Sequence, residues 1–137
     1  MRPTLFLISF FVAMGIAGCE STASVGDLRL AIGRTWTAEA IDGKDIIDGT
    51  TVTMKIEGDR VSGKAGCNGY GGPVEIMGER VKFGSLFSTK MACMGNGVME
   101  QEQHYLTVLR DVTRGELRPD GTLVLTGGSG TLEFRVE

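Results

Sequence analysis

The chain has 137 residues, 14 Lys and Arg against 17 Asp and Glu, and 21 glycines, about twice ordinary usage. This is enough chain for one domain with a real core. The balanced charge, with no cluster of arginines and no basic aromatic stripe, argues against nucleic acid as a partner.

The N-terminus reads as a targeting segment. Arg2 supplies a positive charge and Leu5 to Ile16 is apolar but for Ser9, a run shorter than the roughly 20 residues that span a bilayer. Ile16-Ala17-Gly18-Cys19 then resembles the lipobox of bacterial lipoproteins. The expectation is a signal peptide over 1–18, with Cys19 acylated as the new N-terminus and anchored in a membrane. The alternative is an ordinary secretory signal with Cys19 a bystander. Glu20, rather than aspartate, after Cys19 favours the outer membrane over the inner, with the domain facing the periplasm. Residues 19–30 read as lipidated cysteine and flexible polar tether, reaching about 35 Å if extended, and 31–137 as the folded domain.

Period-two alternation begins at Arg34 and predicts strands. Trp36, Ala38 and Ala40 share one face of the first, broken at Asp42-Gly43-Lys44. Val52, Met54 and Ile56 share a face of the next, and Gly58-Asp59 is a hairpin turn leading to Arg60–Ala65. Gly66-Cys67-Asn68-Gly69-Tyr70-Gly71-Gly72 follows and reads as a constrained loop, with positive φ or close approach expected at its glycines and Asn68 suited to the turn. Gly66 and Gly69 are expected to resist any side chain. Val74, Ile76, Val81 and Phe83 form a second hairpin about Gly78-Glu79.

One segment has helical period. Asn96 is the expected N-cap of a helix over 97–112, with Val98, Tyr105, Leu109 and Val112 on its apolar face and Glu100 and Glu102 as solvated acids near its positive end. Strands resume at Leu117, Leu123–Leu125 and Leu132–Val136, with turns at Pro119-Asp120-Gly121 and 127–130. Hairpins with frequent turns suit antiparallel sheet and not βαβ units.

With Cys19 set aside, two cysteines remain in a chain read as exported to an oxidising compartment, and the simplest outcome is a Cys67–Cys93 disulfide. Closing that loop of about 26 residues contributes roughly 3.5 kcal/mol on the chain-entropy account. The rival is a reactive Cys67 thiol with His104, the single histidine, as base. On the polar side of a helix, such a histidine is ordinarily just solvated. Two cysteines without CxxC spacing do not make a structural zinc site, and the glycine loop has no G-K-[ST] ending for phosphate. No metal, cofactor or catalytic constellation is indicated. Met91, Met94 and Met99, with Phe87, are either an adaptable apolar surface or, more commonly for methionine, core filling.

Trp36, the run Gly63 through Gly66-Cys67-Asn68-Gly69-Tyr70, Thr89-Lys90-Met91-Ala92-Cys93, Glu100, Tyr105 and Leu109, and the Leu-rich strands ending at Phe134 together resemble the META domain family. That resemblance implies an α+β fold, mostly antiparallel β in a small partial barrel with one packed α-helix. It implies no enzymatic activity, and a link to envelope stress or antibiotic tolerance. The reading is a non-catalytic, lipid-anchored envelope module that binds a protein partner. An apolar-ligand or lipid carrier and a thiol enzyme are the alternatives.

Overall fold

The computed structural model describes residues 26–137, so the expected signal peptide over 1–18 and the expected acylation at Cys19 lie outside the described residues. The packed chain begins at a 3-10 turn, Leu28–Ala31, whose first N–H groups are capped by Asp27 accepting from the Arg29 N–H at 2.9 Å. Leu28 and Ala31 are buried in the core. The expected tether therefore ends before residue 30: Leu28 and Ala31, eight and five positions before Trp36, pack into the core. Trp36 is the reason. Its indole N–H donates to the Ala31 carbonyl at 3.0 Å, fastening the turn across one end of the sheet.

Among the described residues the strands are β1 (Thr35–Ile41), β2 (Lys44–Asp45), β3 (Thr51–Glu57), β4 (Arg60–Gly66), β5 (Gly69–Met77), β6 (Arg80–Phe83), β7 (Phe87–Ser88), β8 (Val112–Leu117), β9 (Leu123–Gly127) and β10 (Gly130–Val136). Neighbours pair in the order β10-β9-β8-β6-β5-β4-β3-β1, and β1 pairs in turn with β10, closing a barrel of eight strands. The two-residue β2 and β7 lie beside β1 and β5. The barrel is weakest where β6 meets β8, at the single pair Arg80↔Arg114. Alternation fixes the interior: Val52, Met54 and Ile56 of β3, Val61 and Ala65 of β4, and Leu132 and Phe134 of β10 all point inward and are buried.

The one helix, α1 (Val98–Arg110), touches β4, β6, β9 and β10. β4 and β9 stand on opposite sides of the ring, so α1 lies across one end of the barrel. The turns after β1, β4 and β9 are at that end. The 3-10 turn closes the other, together with the turns after β3, β5 and β8, as the bonds Gly26 N–H to Leu117 O and Gly33 N–H to Ile56 O show.

Three local expectations change. The helix is capped by Gly97 in the left-handed region, with no side-chain cap, so Asn96 does not play that part. Val112 leaves the helix and starts β8, because Asp111 ends the helical turn with its N–H on Leu109 and Val108 carbonyls. The glycine run is not one loop: Gly69 to Gly72 are strand, paired with Lys64 to Val61, and only Cys67 and Asn68 make the turn.

Gly66 does have positive φ, 115°. Gly69 does not, and a Cβ there would find no atom nearer than 3.8 Å. The position in this stretch with the least room is Gly63, where a Cβ would stand 2.0 Å from the Thr53 carbonyl oxygen. Gly63→Ala should lower stability by roughly 2 kcal/mol or more, whereas Gly69→Ala should stay within about 0.5 kcal/mol. Urea denaturation of both variants checks this, and equal midpoints would contradict it.

Candidate functional site

The helix end of the barrel is built around Glu102, a charged residue buried in the apolar face of α1. One carboxylate oxygen accepts from the backbone N–H of Cys67 at 2.9 Å and of Asn68 at 2.7 Å, and the other accepts from the Asn68 side-chain amide at 2.6 Å. A buried carboxylate is tolerable only when its oxygens are occupied in this way. The expectation of a solvated acid was wrong for Glu102. Val98, Glu102, Tyr105 and Leu109 follow i, i+4, i+7, i+11, so helical spacing placed it on the inward stripe.

Asn68, also buried, carries the network onward. Its carbonyl oxygen accepts from the Met91 N–H at 2.7 Å and the Thr89 hydroxyl at 2.9 Å, while its amide also donates to the Met91 carbonyl at 3.1 Å. The Asn68 side chain thus mimics a strand partner for residues 89–91. A disulfide joins Cys67 to Cys93, with Cα atoms 5.8 Å apart. The turn, the helix and the segment after β7 are locked together through two adjacent residues, Cys67 and Asn68. Gln101, the neighbour of Glu102, holds α1 to the other side: its side chain accepts from the Ile47 N–H at 2.8 Å and donates to the Thr50 hydroxyl at 3.1 Å.

Beneath this network the Tyr70 hydroxyl donates to the Thr53 carbonyl at 2.9 Å, and lies 2.6 Å from the Tyr105 hydroxyl. With its only proton spent on Thr53, Tyr70 must accept from Tyr105. The β3–β4 ladder pairs at Thr51–Val52 and again from Lys55, and the hydroxyl of Tyr70 satisfies the Thr53 carbonyl in between. The two rings meet edge to face at 5.6 Å, and Tyr105 meets Phe134 likewise at 6.4 Å, contacts worth about 0.5–1.5 kcal/mol each beyond area burial.

His104 is not merely solvated. Its Nε2 lies 2.6 Å from Asp42 Oδ2, on the turn after β1, and Asp42 Oδ1 accepts from the Thr131 N–H at 2.8 Å. The Thr131 bond, then His104, hold the Asp42 carboxyl below the usual carboxylate range. His104 thus ties helix to barrel, and Cys67 is bonded to sulfur, so neither is placed as the thiol reading requires. Among the described residues no group of three or more His, Cys, Asp or Glu is placed to hold a metal ion.

Beside exposed polar residues such as Lys90 and Gln103, this end presents an apolar group to solvent. Phe87 is 62% exposed, Met91 58% and Met94 98%, so the core-filling reading fails for these three; Met99 is half-buried. They project from the segment that Asn68 and the disulfide pin down. A groove of about 430 Å³ runs between residues 88–92 and the Met99, Gln103 and Arg110 side of α1. A second, of about 400 Å³, opens where β6 parts from β8, over Val81, Phe83 and Val112, with Lys82 and Arg110 at its rim.

The sequence pattern of the META domain family matches residues 28–137. The chain belongs to the META domain family. The family is not a known family of enzymes. This META domain is similar to a protein from Burkholderia xenovorans solved by NMR, at 27% identity and a TM-score of 0.67 over 80% of this chain and 85% of that one. A second NMR structure matches at 18% identity and a TM-score of 0.66, over 79% of this chain and 92% of that one, a likeness of fold. No curated protein matches the chain.

The G-C-N and T-x-M-A-C stretches thereby acquire a physical meaning, since Thr89 and Met91 of the second bond the Asn68 side chain of the first, and a disulfide joins their cysteines. The two tyrosines beneath are the only ones in the chain. Burial is the chief cause holding both phenols above their ordinary range of about 10; for Tyr105 the neighbouring Tyr70 adds to it, while for Tyr70 the bond from Tyr105 acts in the opposite direction and burial prevails. A raised phenol favours the fold fully below pH of about 10, and that contribution drains away as pH rises beyond it. In an alkaline titration, phenolate absorbance and loss of circular dichroism should therefore rise together. Phenolate appearing first, with the dichroism intact, would contradict the buried pair.

Proposed function

We propose that this META domain is a non-catalytic binding module of the cell envelope, anchored in the membrane by acyl chains on Cys19 and facing the periplasm, with the outer membrane favoured over the inner. Its task is to bind or assemble with a protein partner in the response to envelope stress or antibiotic exposure, as the family resemblance implies. The observation that carries the binding role is the exposure of Phe87, Met91 and Met94 on a segment whose backbone is already fixed. Large apolar side chains on a mobile loop would be ordered at a cost on binding; here most of that ordering precedes the partner. Methionine adapts to an apolar partner surface without a fixed shape.

A second reading, an apolar-ligand or lipid carrier, is supported by the groove between β6 and β8. Its buried apolar floor and its three lining cations, Arg80, Lys82 and Arg110, which make no ion pair among the described residues and stand beside Glu75 and Asp111, suit an amphiphile with an anionic head.

The decisive variant is Met91→Asn with Met94→Asn, which alters the exposed surface alone. It should reach the membrane in normal amount, unfold at the same urea concentration and yet fail to restore survival under envelope stress to cells lacking the protein. Full restoration would overturn the partner surface. A fatty acyl ligand retained by the purified protein in native mass spectra would shift the reading to the carrier.

A further inference from the structure

We propose that the 3-10 end of the barrel is a phospholipid-contacting surface, which seats the domain on its own membrane and turns α1 and the Phe87–Met94 segment away from it. The inference rests on the reading that Cys19 is acylated and adds to it a specific contact and an orientation.

Chain length supplies the first argument. Gly26 is bonded to Leu117 at the 3-10 end, and seven residues of backbone separate it from Cys19, at most about 25 Å. The barrel's seven-residue strands rise roughly 17–20 Å when tilted as barrel strands are, and a helix about 10 Å thick lies across the far end. A leash fixed at the 3-10 end cannot readily pass the full height of the domain and still let α1 face the lipid. The end that carries Gly26 is the end held near the headgroups.

The surface there has the chemistry of an interface. Leu30 is 58% exposed and Ile32 37%, on either side of buried Ala31. Arg29 and Arg34 flank them, both exposed and neither in an ion pair among the described residues. Some acids at this end are engaged, Asp27 capping the Arg29 N–H, Glu79 pairing with Arg114 at 2.7 Å and Glu57 with Lys55 at 2.6 Å, while Asp59 on the turn after β3 is exposed. Met77, 69% exposed, stands beside the β5–β6 turn at the same end. Apolar side chains bracketed by arginines suit the boundary between acyl chains and phosphates, where the arginines bond phosphate oxygens and the aliphatic groups enter the shallow apolar layer. Leu30 and Ile32 lie outside the buried core cluster, so their exposed apolar surface is otherwise a liability.

The test uses the full acylated chain in vesicles of phosphatidylethanolamine and phosphatidylglycerol, carrying either Leu30→Cys or Met94→Cys labelled with an environment-sensitive fluorophore. Emission from position 30 should shift to the blue and be quenched by lipid-borne spin labels, and emission from position 94 should do neither. Adding Arg29→Glu and Arg34→Glu should abolish the quenching at position 30 while the protein still floats with the vesicles. Flotation without quenching at position 30 leaves the anchor standing and overturns the contact, assigning that surface to a protein. Stronger quenching at 94 than at 30 overturns the orientation. A chain that does not float lacks the anchor, and the proposal falls with it.

Discussion

A single buried carboxylate organises the helix end of this domain. Glu102 takes three N–H donors from the Cys67–Asn68 turn, and through Asn68 its influence reaches Thr89 and Met91. Three pieces of chain distant in sequence, the β4–β5 turn, α1 and the segment after β7, have no extended ladder in common, so side chains must supply what strand pairing does elsewhere. Leaving any of these donors or acceptors without a partner in so dry a place would cost about 1–3 kcal/mol apiece. The network is consequently all or nothing, and the disulfide beside it secures the same junction covalently.

Rigidity at that junction matters because of what hangs from it. The backbone of Met91 is bonded at both its N–H and its carbonyl, yet its side chain, with those of Phe87 and Met94, faces water. A fold that merely tolerated these residues would not fix the chain that bears them. The division of the barrel into two ends follows the same logic. One end is closed by Trp36 reaching Ala31 and carries the N-terminal approach of the chain; the other is closed by α1 and carries the apolar display. The proposed binding at one end and attachment at the other accord with a module whose ends differ in this way.

Much of the barrel was legible in the alternation of Val52-Met54-Ile56 and Leu132-Phe134, because a strand with one buried face must repeat every two residues, although Val136, next in that series, is exposed. The Cys67–Cys93 disulfide followed from counting. What escaped was set by contacts between distant segments. Gly69 looks in sequence like a turn glycine, but pairs as ordinary strand, while Gly63 is constrained by a Thr53 carbonyl that no local pattern announces. Glu102 was misread by residue type although its spacing put it on the buried stripe: position outweighed polarity once Cys67 and Asn68 offered their N–H groups. His104 escaped similarly, since Asp42 is brought to it only by the closed barrel.

The claim that the Asn68–Glu102 junction is what fixes the helix end is tested most directly by a double-mutant cycle. Stability would be measured by urea denaturation, with the disulfide intact, for Asn68→Ala, Glu102→Ala and the pair. Each single change should be strongly destabilising, and the double variant should be more stable than the sum implies by more than about 1 kcal/mol, since the second change removes a group already stranded by the first. Effects that add to within about 0.5 kcal/mol would mean that the two side chains contribute independently, and would contradict the account.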